Sequence, residues 1–266
     1  MIRSNFRNKS TGTNYLPRPI HIMSFFAFVL RSLFRLSVLP RHVAFIMDGN
    51  RRFASKHGKK IDDGHTGGYK KLIEIVMLSQ LLGIEEITVF AFSTDNFRRA
   101  KSQRTSFFRL MEDKFRKMES LSRENRLSCK VRFVGDLETL PFTLRKSMTD
   151  LTEETRKNKG VSLNICFSYS SDSEATSATL SIRENFVNKR VAIDQIADEA
   201  LREKISEQFS IKPDLMVRTS GENRISDFLL WHCHAKTQIF FEKKMWPAFS
   251  MLDYIKILLQ YGEMNK

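Results

Sequence analysis

Three short stretches gather the side chains that could do chemistry. "MDGNRR" puts Asp48, Gly49, Asn50, Arg51 and Arg52 directly after the apolar run 43–47. "STDNFRR" puts Ser93, Asn96, Phe97 and Arg99 after the apolar run 87–92, and "RTSGENRIS" puts Arg218, Arg224 and Ser226 after "PDLMV". Arginine grips phosphate oxygens through two parallel hydrogen bonds. Guanidinium groups brought together repel one another unless anions sit among them. Gly49 and Gly221 would let backbone N–H groups approach the same oxygens. A carboxylate beside a phosphate needs a cation between them. Asp48 therefore suggests Mg²⁺, shared between one carboxylate and the ligand's phosphates. The alternative for Asp48 is a plain helix N-cap.

The composition agrees with an anionic partner. Lys and Arg number 44 against 30 Asp and Glu, a formal net charge of +14. Nucleic acid is a poor fit, because basic and aromatic residues do not interleave and the arginines gather at the ends of apolar runs. No GxxxxGK[ST] or GxGxxG stands after a strand, which leaves out the P-loop and dinucleotide-binding readings. "WHCHAK" brings His232, Cys233 and His234 together, but no second ligand pair stands at zinc spacing, so these read as structural residues. Cys129, Cys166 and Cys233 form no CxxC pair and read as reduced thiols.

The elements that must carry these stretches alternate. Helices are expected over 66–82, 102–125, 143–158, 173–187 and 194–208. Strands are expected over 43–47, 87–92, 131–136 and 161–169, within 213–221, and over 238–241. This predicts an α/β fold with a mainly parallel central sheet of about six strands and helices on both faces. In such a sheet, ligands bind beyond the carboxyl ends of the strands. All three stretches would then meet on one rim. The chain divides into an arm, 1–39, and a domain, 40–266. No Asp or Glu precedes Asp48, while seven Lys or Arg do. The uncharged run 20–30 is too short to span a bilayer. With Arg31 and Arg35 one turn apart, 20–38 suits a helix lying in a membrane interface. A cleaved transit peptide for mitochondrion or plastid, or a helix packed on the domain, are its alternatives.

Five blocks in order, "HVAFIMDGNRRFA", "GHTGG", "VFAFSTDNFRR", "VRFVGDLETLP" and "PDLMVRTSGENRISDFLLW", resemble the cis-prenyltransferases, the family of undecaprenyl and dehydrodolichyl diphosphate synthases. The resemblance covers about residues 40–260, and "DGNRRF", "FSYSS" and "RTSGE" look closer to the eukaryotic dehydrodolichyl branch than to the bacterial one. It implies the cis-prenyltransferase fold with a Phe-lined hydrophobic tunnel. It implies condensation of isopentenyl diphosphate with an allylic diphosphate such as farnesyl diphosphate, giving a long polyprenyl diphosphate for dolichol synthesis and protein glycosylation. Asp48 would serve Mg²⁺ and the diphosphates. The Gly49–Arg52 backbone, Arg52, Arg99 and His65 would hold the allylic diphosphate, with Phe53 as an aromatic wall. Ser93 and Asn96 would lie near the reacting isopentenyl unit, and Arg218, Arg224 and Ser226 would clamp its diphosphate. Two positions depart from the family pattern: Ile61 stands where Arg is frequent, and Gln238 where many members have a metal-binding Glu. The family's single-subunit members carry a C-terminal Arg-x-Gly motif that completes a neighbour's site. Here no arginine follows Arg224. A related, non-catalytic subunit is therefore expected to supply it, at the cytosolic face of the endoplasmic reticulum. The opposite assignment, that this chain is itself the non-catalytic subunit, conflicts with its intact Asp48, Arg52, His65, Asn96, Arg218 and Arg224.

Overall fold

A computed structural model describes residues 38–188 and 198–266. The interfacial helix expected at 20–38 and the start of the helix expected at 194–208 lie outside the described residues, apart from Val38. Six strands form one sheet: β1 (His42–Ile46), β2 (Glu86–Ser93), β3 (Lys130–Val134), β4 (Ser162–Tyr169), β5 (Leu215–Arg218) and β6 (Gln238–Phe241). Their order is β3-β4-β2-β1-β5-β6, and every neighbouring pair is parallel. The expected α/β sheet is the one observed.

Seven helices are described: α1 (Asn50–Lys56), α2 (Ile61–Leu82), α3 (Lys101–Arg123), α4 (Phe142–Thr155), α5 (Ser171–Val187), α6 (Asp198–Ser206) and α7 (Met251–Met264). One sheet face packs on α2, α3, α4 and α7, where Phe45, Ile75, Val89, Leu144, Leu163 and Leu258 share a core. The opposite face has a smaller core that joins Ala44, Cys166 and Met216 to Phe209, Phe228 and Leu229. Both sheet faces are covered, as parallel sheets require, and every residue of β1 and β5 is buried. The polar residues His42, Thr88, Asn164 and Glu86 within the sheet bond one another.

The helix expected at 66–82 begins earlier, at Ile61. Gly64 stands before the expected start, yet it lies inside α2 together with Gly67 and Gly68. Gly64 and Gly68 are small for packing reasons. A Cβ on Gly64 would stand 2.2 Å from the Asn50 carbonyl oxygen, and one on Gly68 would stand 2.2 Å from Asn50 Oδ1. This close approach sets α1 against α2, which places the Asp48 loop beside His65.

Candidate active site

β1, β2 and β5 are adjacent or next-adjacent and run the same way, so their carboxyl ends share a rim. A cavity of about 1040 Å³ opens there. Asp48, Gly49, Asn50, Arg51, Arg52, His65, Ser93, Asn96, Arg99, Arg218, Arg224 and Ser226 line its polar mouth. Leu72, Val89, Phe92, Phe107, Phe115, Met118 and Ile165 line its apolar interior. Two of the sequence candidates stay outside. Phe53 packs against His57, with ring centroids 4.2 Å apart and planes tilted by 35°. Phe97 packs edge-on to Phe92 at 5.1 Å. Neither lines the cavity.

Asp48 is not a helix cap. Gly49 takes the N-cap position of α1 at φ 99°, a left-handed conformation open to glycine. A Cβ there would also stand 2.8 Å from Ser220 Oγ. The Gly49 N–H donates to Asp48 Oδ1 at 2.6 Å. Asp48 Oδ2 receives Arg218 Nη2 at 3.0 Å and lies 3.3 Å from Arg52 Nη2. Thr219 Oγ1 accepts from the Asp48 N–H at 3.1 Å and donates to the Asp48 carbonyl at 2.9 Å. The Trp246 N–H donates to the same carbonyl at 2.9 Å, while Trp246 Nε1 donates to the Gly68 carbonyl at 2.8 Å. The Asp48 backbone is thus fixed by β5 and by the segment after β6.

A second carboxylate, Glu222, completes the charge network. It accepts from Arg52 Nη1 at 2.9 Å and from Arg224 Nη1. These bonds, Arg224 first, hold its carboxyl below the usual range. Sequence reasoning passed over Glu222, Thr219 and Trp246. The first two stand inside "RTSGE", where attention to the arginines hid them. Trp246 lies in a later segment that nothing in the sequence ties to Asp48.

The mouth is electropositive and partly dry. Arg218 is buried, and its Nε has no partner. Burial and the nearby Arg51 charge lower the Arg99 pKa. Burial first, then the Arg99 charge, brings His65 down to about 4. His65 is therefore a neutral imidazole at pH 7. Asp48 fits a hard divalent cation of a phosphate-sharing kind: one partly exposed carboxylate beside arginines whose chemistry suits phosphate oxygens. No cluster of three or more His, Cys, Asp or Glu suited to a metal occurs among the described residues. Gln238 takes no part here. It pairs with Leu215, whereas Arg218 pairs with Phe241, so it stands at the far end of β6, roughly 10 Å along the strand.

Residues 46–266 match the family described as putative undecaprenyl diphosphate synthase. A tritrans,polycis-undecaprenyl-diphosphate synthase (geranylgeranyl-diphosphate specific) of Pyrococcus horikoshii is 38% identical over 229 residues, 86% of this chain and 86% of that one. The dehydrodolichyl diphosphate synthase complex subunit DHDDS of Homo sapiens is 34% identical over 235 residues, 88% of this chain and 70% of that one. Among solved structures, lavandulyl diphosphate synthase from Lavandula x intermedia in complex with dimethylallyl diphosphate aligns with a TM-score of 0.77 at 27% identity. That alignment covers 84% of this chain and 95% of that one.

The His65 environment is testable. Its folded pKa lies below the unfolded value, so neutral His65 stabilises the fold above about pH 6.5. That stability is lost as pH falls toward about 4. NMR titration of the unliganded protein should place the His65 midpoint near 4, and inorganic diphosphate should raise it. A midpoint at the ordinary histidine value would contradict the buried, arginine-flanked setting.

Proposed function

Because the chain belongs to the undecaprenyl diphosphate synthase family of cis-prenyltransferases, we propose that its cavity holds an allylic diphosphate and isopentenyl diphosphate side by side and joins them at the Asp48 rim. The observation that carries this reading is a set of arginines tied to Asp48 at the mouth of an apolar cavity. An anionic head and a hydrocarbon tail require that combination.

Arg52, Arg99, His65 and the N–H groups of residues 49–52 hold the allylic diphosphate. Arg218, Arg224 and Ser226 hold that of the isopentenyl substrate. Ser93 and Asn96 orient the reacting isopentenyl unit. Breaking the allylic carbon–oxygen bond builds charge on the leaving diphosphate. Fixed guanidinium groups stabilise that charge most when bond breaking is advanced. Holding both substrates on one rim supplies orientation. Mg²⁺, when held by Asp48 with the substrate phosphates, supplies further positive charge at the leaving group. The growing chain lies among Phe92, Phe107, Phe115 and Met118, which exclude water from the reacting carbons.

The product is a long-chain polyprenyl diphosphate of the dehydrodolichyl type. A related non-catalytic subunit completes the diphosphate site with an Arg-x-Gly segment. One feature supports a partner: the edge strand β6 exposes Ile239 and Phe241. The acid-free arm 1–39 attaches the protein to an anionic membrane surface, at the cytosolic face of the endoplasmic reticulum. No described helix is long and apolar enough to cross a membrane. Liposome flotation of the full chain against a form starting at Leu39 tests the attachment, and equal flotation would refute it.

The activity is assayed with Mg²⁺, labelled isopentenyl diphosphate and either farnesyl or geranylgeranyl diphosphate, for the chain alone and co-expressed with a related subunit. Sized long-chain products are expected from the complex. Asp48→Ala should lose at least about a hundredfold in turnover. Arg218→Ala and Arg224→Ala should raise the KM for isopentenyl diphosphate more than for the allylic substrate. A rise confined to the allylic substrate would reverse the assignment of the two diphosphates. Full activity of the isolated chain would remove the partner, and no incorporation by the complex would overturn the proposed function.

A further inference from the structure

Arg218 does not hold its own direction. Its Nη1 donates to the Arg224 carbonyl at 2.6 Å and to Ser226 Oγ at 2.7 Å, and these bonds aim Nη2 at Asp48. The loop that provides both acceptors is strained. Ser226, Asp227 and Leu229 have φ of 50°, 56° and 54°, a left-handed region that L-residues with a side chain seldom enter. Such a conformation persists only where its surroundings fix it.

The fixing contacts come from the first turn of α5, on the opposite side of the loop from the cavity. The Ser171 N–H donates to the Asp227 carbonyl at 2.9 Å, and Ser171 Oγ donates to the same carbonyl at 3.0 Å. The Leu230 N–H donates back to Ser171 Oγ at 2.9 Å. The next N–H of the helix, that of Asp172, donates to Asp227 Oδ2 at 3.3 Å. One turn on, Glu174 bonds His232 Nε2 at 2.9 Å, and Tyr169 donates to its other oxygen at 2.7 Å. Helix-start N–H groups have no partner within their own helix. Here they are spent on the loop. Ser171 is 1% exposed and does not line the cavity, so it cannot touch substrate.

We propose that Ser171 is a positioning residue for the isopentenyl diphosphate clamp: through Asp227 and Leu230 it sets the loop that aims Arg218 and Ser226. The proposal rests on the reading that Arg218 and Ser226 hold that diphosphate. A purely structural serine would affect melting, or both substrates alike. A positioning serine acts on one substrate.

Steady-state kinetics and melting temperatures of Ser171→Ala, Ser171→Thr, Asp227→Ala and Arg218→Ala are compared in the active form of the protein. Ser171→Ala is expected to raise the KM for isopentenyl diphosphate about tenfold, the equivalent of roughly one charged hydrogen bond. The KM for the allylic substrate should stay within about twofold by the same measure. Ser171→Thr, which keeps the hydroxyl, should recover most of the loss. Asp227→Ala leaves the Ser171 bonds to the Asp227 carbonyl in place and removes the neighbouring bond from the Asp172 N–H, so it reports on the same helix-to-loop junction if Ser171→Ala does not fold. If Arg218→Ala raises the isopentenyl KM while neither Ser171→Ala nor Asp227→Ala does, Ser171 has no positioning role. An equal rise for both substrates, or a change in melting alone, overturns it too. If Arg218→Ala leaves that KM unchanged, the clamp assignment fails, and the inference falls with it.

Discussion

The ion pair between Asp48 and Arg218 joins the ends of two neighbouring strands, and the rest of the site is arranged around it. Arg218 is almost fully buried, with 4% of its side chain exposed, whereas Asp48 keeps 32%. A buried guanidinium without a counter-charge is costly, and breaking such a pair destabilises strongly. The fold therefore satisfies Arg218 with Asp48, Ser226 and the Arg224 carbonyl. Arg52 lies between Asp48 and Glu222, and Arg224 closes the chain on Glu222. Two carboxylates thus hold three guanidinium groups. Each carboxylate stands where an anionic ligand would otherwise be met.

This arrangement explains how a strongly basic pocket can exist in a folded protein before any ligand arrives. Arg52, Arg218 and Arg224 are each held by a carboxylate rather than left to repel one another. Under the proposed function a diphosphate would replace the carboxylates as the arginines' partner, with little reorientation because the loops are already fixed. Preorganised donors of this kind cost no reorganisation when charge develops. The apolar half of the cavity is equally necessary. In the proposed reaction it would accept the hydrocarbon and keep water from the allylic centre, while the covered sheet beneath it supplies the rigid wall.

Much of this was legible in the sequence, for a geometric reason. Parallel strands put their carboxyl ends together, so polar clusters after the runs 43–47, 87–92 and 213–217 had to meet. The strand at 238–241 is found where the pattern put it. What failed to be legible depended on contacts between distant segments. Gly64 fell outside the expected helix, because its reason for being small is Asn50, on another helix. The cap alternative for Asp48 failed because Gly49 occupies that position, and its neighbours Ser220 and Met245 come from far along the chain. Phe53, expected as an aromatic wall, and Phe97, a candidate beside Asn96, each pack on another ring instead. Gln238 is removed by strand register alone.

The central claim is that Asp48 and the arginines compensate one another until a cation and a diphosphate take their places. Calorimetric titration of inorganic diphosphate into the protein, with and without Mg²⁺, tests it on wild type and Asp48→Ala. The account predicts that wild type binds diphosphate much more tightly with Mg²⁺. It also predicts that Asp48→Ala, with Arg218 and Arg52 released, binds at least as well without Mg²⁺ and gains little from adding it. An Asp48→Ala variant that keeps the full Mg²⁺ dependence, or that fails to bind diphosphate while remaining folded, would contradict it.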